Sequence, residues 1–161
     1  MSNLVSYVFQ SRWLVPAPAD ECFDILHDIE GYPKWWPEIR EVHMLDDDTA
    51  SLRVRSFLPY YLDFESARSR DDREAGVLEA RLSGDLDGFS RWTIPETARG
   101  SMLVFDEEVV TAKRILNVLA PVARPLFKMN HTFMMRHGEA GLRTFLAGLH
   151  WTPPGSKRDA V

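Results

Sequence analysis

The chain has 161 residues, of which 45% are apolar and 27% charged, and its formal net charge is −5 at pH 7. That length suits one domain with a sizeable core, while dispersed basic residues under a net negative charge argue against a nucleic-acid binder, which must neutralise phosphates. A lone cysteine, Cys22, excludes a disulfide framework and a cysteine metal cluster.

From Leu4 to Val15 the apolar residues alternate. Val5, Tyr7, Phe9, Trp13 and Val15 share one parity, and Ser6, Gln10 and Arg12 the other, which predicts a strand with one buried face. Pro16-Ala17-Pro18 ends it. Pro18 suits the start of a helix, Asp20 and Glu21 favour its positive end, and Cys22, Phe23, Leu26 and Ile29 recur at helical spacing, so a short helix is expected over Ala19–Asp28. Gly31-Tyr32-Pro33-Lys34-Trp35-Trp36-Pro37 reads as one further helical turn between prolines. Six strands then follow, near Ile39–Leu45, Ser51–Leu58, Leu62–Ser69, Val77–Ser83, Phe89–Pro95 and Ser101–Val110. They are divided by the turn clusters Asp46–Asp48, Leu58–Tyr60, Asp71–Arg73 and Gly84–Asp85. Gaps this short hold no crossover helices, so the strands must pair antiparallel.

After Thr111 the period changes. Ile115, Leu116, Leu119, Val122, Leu126, Phe127, Met134, Leu142, Phe145 and Leu149 keep helical spacing, interrupted by Pro121 and Pro125. A short helix before Pro121 and a long one over Val122–Leu149 are expected. Residues 1–150 form one domain on this reading, and 151–161 are a tail by composition. The order of elements is α+β: two short helices after the first strand, and a curved antiparallel sheet of about seven strands around a long C-terminal helix. A lone helix cannot fill so wide a groove, and the remainder is an apolar pocket.

The chain resembles the START-like helix-grip superfamily in its polyketide cyclase/dehydrase and lipid-transport branch. The resemblance covers roughly Trp13 to Leu149. It lies in Trp13–Pro18 leading through Asp28–Pro37, in Gly84–Gly88 with Trp92, in Leu119–Phe127, and in Asn130-His131 with Met134, Gly138-Glu139 and Gly141-Leu142. It implies the helix-grip fold and a ligand cavity, and leaves activity open between carriers and cyclases.

Parity and helical phase pick out the residues facing that cavity. Phe64, Trp92, Phe105 and Met134 are expected to line it. Trp36 is expected to plug the core, whereas Trp35 is open between a plug and a ring at the cavity mouth. Asn130 lies on the stripe of Phe127, Met134 and Gly141, where it needs a partner from the sheet, a water or a ligand. His131, one hundred degrees further round, is expected at the boundary. Glu107 shares parity with Leu103, Phe105 and Val109. There it either pairs with a cation, has a raised pKa, or reaches water at the rim; the resemblance implies an aromatic residue at this position. Arg68 shares the parity of Leu62 and Phe64 and is the candidate partner for Glu107, while Arg53 and Arg55 belong to a solvated outer face. Gly138 and Gly141 are expected to permit close packing of the last helix.

His131 and His137 fall on different helix faces, no His-Glu-x-x-His pair exists, and no phosphate loop or nucleophile elbow appears, so no metal or cofactor is expected. No apolar run reaches the ~20 residues that cross a bilayer, and Met1–Val5 lacks a leader pattern, so a cytoplasmic location is expected. The leading function is binding of an apolar small molecule such as a lipid, isoprenoid or polyketide-like compound. Glu107, Asn130 or Arg68 would orient its polar end, and a homodimer is left open. A cyclase or dehydrase using Glu107 and His131 as acid/base groups is the alternative. A protein-interaction module docking through Trp36 and the tail is the third.

Overall fold

The computed structural model describes residues 6–111 and 120–150. The chain runs β1 (Ser6–Val15), α1 (Ala19–His27), a 3-10 helix (Ile29–Lys34), β2 (Ile39–Met44), β3 (Thr49–Val54), β4 (Leu62–Asp72), β5 (Val77–Gly84), β6 (Leu86–Thr93), β7 (Glu96–Thr97), β8 (Gly100–Thr111) and α2 (Ala120–Leu149). The short helix expected before Pro121, the strand residues Leu4 and Val5, and the tail from Trp151 all lie outside the described residues.

All eight strands of the described residues belong to one sheet in the order β1-β8-β6-β5-β4-β3-β2, with β7 forming a small hairpin on β8. Every pair is antiparallel. The meander from β2 to β6 follows from the short turns, but β8 then pairs with both β6 and β1 and so carries the chain back to its beginning.

Several boundaries differ from the sequence expectation: β4 runs on to Asp72, through part of the expected turn cluster, α2 begins at Ala120, and β7 is an added short strand. Two further differences follow directly from a proline and a glycine. β3 ends at Val54 rather than Leu58, because Pro59 lacks an amide donor and residues 55–61 form a loop. β6 begins at Leu86 rather than Phe89, because Gly88 is a strand residue and not part of a turn. A Cβ there would lie 1.9 Å from the Glu108 carbonyl oxygen, so only glycine lets the two strands approach.

The inward faces match the predicted parities. On β1 the buried residues are Tyr7, Phe9, Trp13 and Val15; on β8 they are Ser101, Leu103, Phe105, Glu107, Val109 and Thr111. The main core joins Trp13, Val15, Leu103 and Phe105 to Cys22, Phe23 and Leu26 of α1, to Trp35 and Trp36, and to Met135, Leu142 and Leu146 of α2, while Tyr7, Phe9 and Val109 pack with Leu82, Leu86 and Phe127 in a second cluster. Four indoles meet in the main core. Trp13 packs edge-on against Trp36, Trp92 and Trp35 with ring centroids 5.4, 4.9 and 6.5 Å away. Each such contact contributes about 0.5–1.5 kcal/mol beyond burial.

Two polar contacts lock the periphery of this core. Trp36 Nε1 donates to the Met134 carbonyl at 3.0 Å and ties α2 to the segment after the 3-10 helix. Ser101 Oγ, fully buried, donates to the Ala17 carbonyl at 2.8 Å and ties β8 to the turn before α1. Ser101→Ala leaves that carbonyl with only the weak Cys22 Sγ donor at 3.9 Å, so urea unfolding should show a loss of about 1–2 kcal/mol. A stability equal to wild type would mean that the turn finds its partner elsewhere.

Candidate functional site

The sheet leaves space under α2 because its central rows carry small side chains. One row across the inward face reads Phe9–Glu107–Ser90–Ala80–Arg68, through the registers of β1, β8, β6, β5 and β4. The next reads Tyr7–Val109–Gly88–Leu82–Ser66–Ala50. Serine, alanine and glycine at mid-sheet cannot reach the helix. The result is a cavity of about 160 Å³ walled by Phe64, Ser66, Ala80, Leu82, Ser90, Trp92, Phe105 and Glu107 from the sheet, and by Phe127, Asn130, His131 and Met134 from α2. For scale, an engineered apolar cavity of roughly 150 Å³ admits a benzene molecule.

Most of the residues singled out by sequence meet here: Phe64, Arg68, Trp92, Phe105, Glu107, Asn130, His131 and Met134 all line the cavity. Trp36, expected to plug the core, is buried in it and also borders the cavity, whereas Trp35, open between plug and mouth, does not line it; Trp35 is buried against Trp36 and Tyr32, with ring centroids 5.4 and 4.9 Å away. The two indoles sit in the irregular segment between the 3-10 helix and β2, which has no simple period, so neither parity nor helical phase could order the pair.

The proposed Arg68–Glu107 pair does not form. The two stand in the same row but are separated by β5 and β6, which puts their backbones about 14 Å apart at normal strand spacing. Arg68 turns outward instead, to Asp48 (3.5 Å), Asp71 (3.6 Å) and the His27 carbonyl (3.3 Å). That end of the cavity, with His27 and Asp48 on its wall, is polar and met by solvent.

The other end is different. Glu107 has neither a hydrogen bond nor an ion pair among the described residues, and burial pushes its carboxyl up to about 8, so it is largely protonated at neutral pH. His131 is buried rather than at the boundary. Its ring stacks on Phe9 at 3.8 Å and faces Phe105 at 6.2 Å, and burial holds its pKa down to about 4, so the imidazole is neutral. The reason is the curvature of the sheet, which covers a wider arc of α2 than the apolar stripe marks. Phe9 ties the two groups together: it is the register partner of Glu107 and the stacking partner of His131.

Several cavity-wall atoms lack a hydrogen-bond partner: Asn130 Oδ1, His131 Nε2, Ser56 Oγ and Tyr60 OH. Tyr60, whose hydroxyl is pushed up to about 12 by burial, and Ser56 belong to the 55–61 loop that the sequence marks only as a turn. Their neighbour Pro59 hides them, since it reads as punctuation. Gly138 and Gly141 are packing residues, in agreement with the sequence expectation. A Cβ at Gly138 would meet Trp36 and Trp13 at 2.6 and 2.8 Å. Among the described residues no group of three His, Cys, Asp or Glu side chains is placed to hold a metal ion, and no helix is long and apolar enough to cross a membrane.

Comparison with known structures gives the same fold. A START superfamily protein from Mycobacterium smegmatis is 22% identical with a TM-score of 0.67, over 91% of this chain and 98% of that one. The Zhui aromatase/cyclase of a Streptomyces species is 18% identical with a TM-score of 0.70, over 89% and 93%. A point mutant of norcoclaurine synthase from Thalictrum is 14% identical with a TM-score of 0.55, over 85% and 99%. No curated protein sequence matches the chain significantly. The family model for polyketide cyclase/dehydrase and lipid transport matches residues 15–130, from the end of β1 to the middle of α2. The chain therefore belongs to the polyketide cyclase/dehydrase and lipid-transport family and has its START-like, helix-grip architecture.

Proposed function

We propose that the protein binds a small, largely apolar and uncharged molecule, and recognises one polar group of it with Glu107, Asn130 and His131. The observation that supports this most is the set of groups without a protein partner at the end of the cavity away from Arg68: the Glu107 carboxyl, Asn130 Oδ1 and His131 Nε2. A buried polar group without a partner costs roughly 1–3 kcal/mol, and a ligand that supplies the partner recovers it. Protonated Glu107 donates through its hydroxyl, Asn130 Oδ1 accepts, and the neutral imidazole does either according to its tautomer. A hydroxyl or carbonyl on the ligand satisfies this set. A carboxylate does not, because the nearest cavity arginine on this row, Arg68, is engaged at the opposite end. The rest of the affinity comes from apolar burial at roughly 25 cal/mol per Å².

Titration with an environment-sensitive apolar dye tests the reading. Trp92→Ala should weaken dye binding about tenfold or more, and Glu107→Gln should change the affinity several-fold, while Glu108→Gln, on the outer face, should leave it unchanged. Wild-type affinity in a folded Trp92→Ala protein would overturn it. Native mass spectrometry of freshly purified protein would identify a retained ligand.

A second reading, an enzyme that enolises or dehydrates a β-oxygenated carbonyl compound, is favoured by one observation. Glu107, with a pKa of about 8, exchanges its proton near neutral pH, as a general acid or base must. Recovery of an added β-hydroxy carbonyl compound as its conjugated, ultraviolet-absorbing product would establish it, and recovery unchanged would assign a carrier.

A further inference from the structure

α2 has two apolar faces. The one toward the sheet carries Phe127, Met135, Leu142 and Leu146. The other carries Val122, Leu126, Met129 and Phe133, spaced four, three and four residues apart so that they form one stripe, and each is at least 40% exposed. The stripe continues onto the 55–61 loop, where Phe57 is 47% exposed and meets the Phe133 ring edge-on at 5.5 Å. Tyr61 on the same loop is 40% exposed. This surface borders the cavity: the loop lends it Arg55, Ser56, Leu58 and Tyr60, and α2 lends it Phe127, Asn130, His131 and Met134.

The charge around the stripe is one-sided. Residues 55–61 and 120–138 contain four Lys or Arg side chains (Arg55, Arg124, Lys128 and Arg136) and no Asp or Glu, in a chain whose net charge is −5. The acids that face this part of α2 from the sheet side are both buried: Glu38, bonded to His137 Nδ1 at 2.5 Å, and Glu107 in the cavity wall. Exposed apolar and aromatic side chains flanked by lysine and arginine are what an interfacial helix presents to an anionic bilayer, burying the apolar stripe at the acyl boundary and setting the cations among the headgroups. A second copy is the poorer occupant, since self-pairing along this stripe brings like charges together with no acid on this part of the helix to offset them.

We infer that the stripe of α2 and the 55–61 loop dock the protein on the surface of an anionic membrane, with the cavity beside the bilayer. The surface would let an apolar ligand pass between lipid and cavity without crossing water.

The test uses the full chain and sedimenting vesicles, of phosphatidylcholine alone or with roughly a third phosphatidylglycerol. The protein should sediment with the mixed vesicles at low salt, far less with phosphatidylcholine, and be released by about 0.5 M salt. Lys128→Glu with Arg136→Glu should weaken binding about 25-fold or more. Met129→Ser with Phe133→Ser should weaken it about tenfold or more. None of these four side chains lines the cavity, so dye binding in solution should be unchanged in both variants and reports that the fold is intact; Lys128→Gln with Arg136→Gln serves if the reversal fails to fold. Absence of wild-type sedimentation on anionic vesicles at low salt, or binding indifferent to both pairs, would overturn the inference. A dimer in lipid-free solution that Met129→Ser with Phe133→Ser dissolves would give the stripe to a second copy and would overturn it as well.

Discussion

Gly141→Ala should destabilise the protein by about 3 kcal/mol or more, measured by urea unfolding with an unchanged dependence on denaturant. A Cβ at this position would fall 1.7 Å from the Trp35 carbonyl oxygen, a backbone atom. That backbone is held on both sides, by the packing of the Trp35 indole in the core and by the hydrogen bond from Trp36 Nε1 to Met134. Relief therefore requires α2 to move off the sheet, which opens voids along Met135, Leu142 and Leu146. Gly138→Ala should cost less, because its Cβ meets only ring atoms of Trp36 and Trp13. At Gly148 nothing lies within 4 Å, so alanine there should gain about 0.5 kcal/mol from helix propensity. A Gly141→Ala protein within about 1 kcal/mol of wild type, a threshold set by the ordinary scatter of mild substitutions, would mean that helix and turn do not touch at this point.

Stability should fall as pH rises from about 6.5 to about 8, and Glu107→Gln should abolish the fall. The folded-state pKa of Glu107, about 8, is raised above its ordinary value of 4.5. Between those values the unfolded chain has lost a proton that the native protein retains, so each pH unit favours unfolding by about 1.4 kcal/mol. The contribution is fully present below pH 4.5 and gone above 8, a change on the order of 5 kcal/mol. His131 runs the other way. Its pKa is lowered from 6.5 to about 4, so its contribution is present above 6.5 and lost as pH falls toward 4. Between 4.5 and 6.5 the two slopes oppose each other, and these groups together give a flat top with a loss on each side. Glu107→Gln should match wild type below pH 4.5 and exceed it above pH 8 by the full amount. Superimposable stability curves for wild type and Glu107→Gln from about pH 6 to about pH 9 would show that the Glu107 carboxyl meets water.

Parity makes much of this site legible. Period two in β1 and β8 puts Phe9, Phe105 and Glu107 on the inward face, and the helical phase of α2 does the same for Asn130 and Met134. What parity does not contain is lateral distance. Arg68 and Glu107 share a face, yet which strands intervene is a property of the sheet order. Phase on a helix likewise marks the centre of a buried arc and not its width, which is why it puts His131 at the edge of an arc that the curved sheet fully covers. Trp36, Ser56 and Tyr60 sit in short proline-bounded segments, where no period exists to be read.

The strand order has a consequence for how the chain reaches this state during synthesis. β2 to β6 can zip as successive hairpins while they emerge, but the slot between β1 and β6 belongs to β8, the last full strand of the described residues. Until its twelve residues are free of the ribosome, β1 has no partner and β6 has an open edge. Closing Tyr7 onto Val109 then spans nearly the whole described sheet, the kind of non-local step that slows folding most. During that interval Tyr7, Phe9 and Trp13 of β1 and Trp92 of β6 face solvent. The nascent chain is thus most exposed to misassociation in the moments before β8 is inserted.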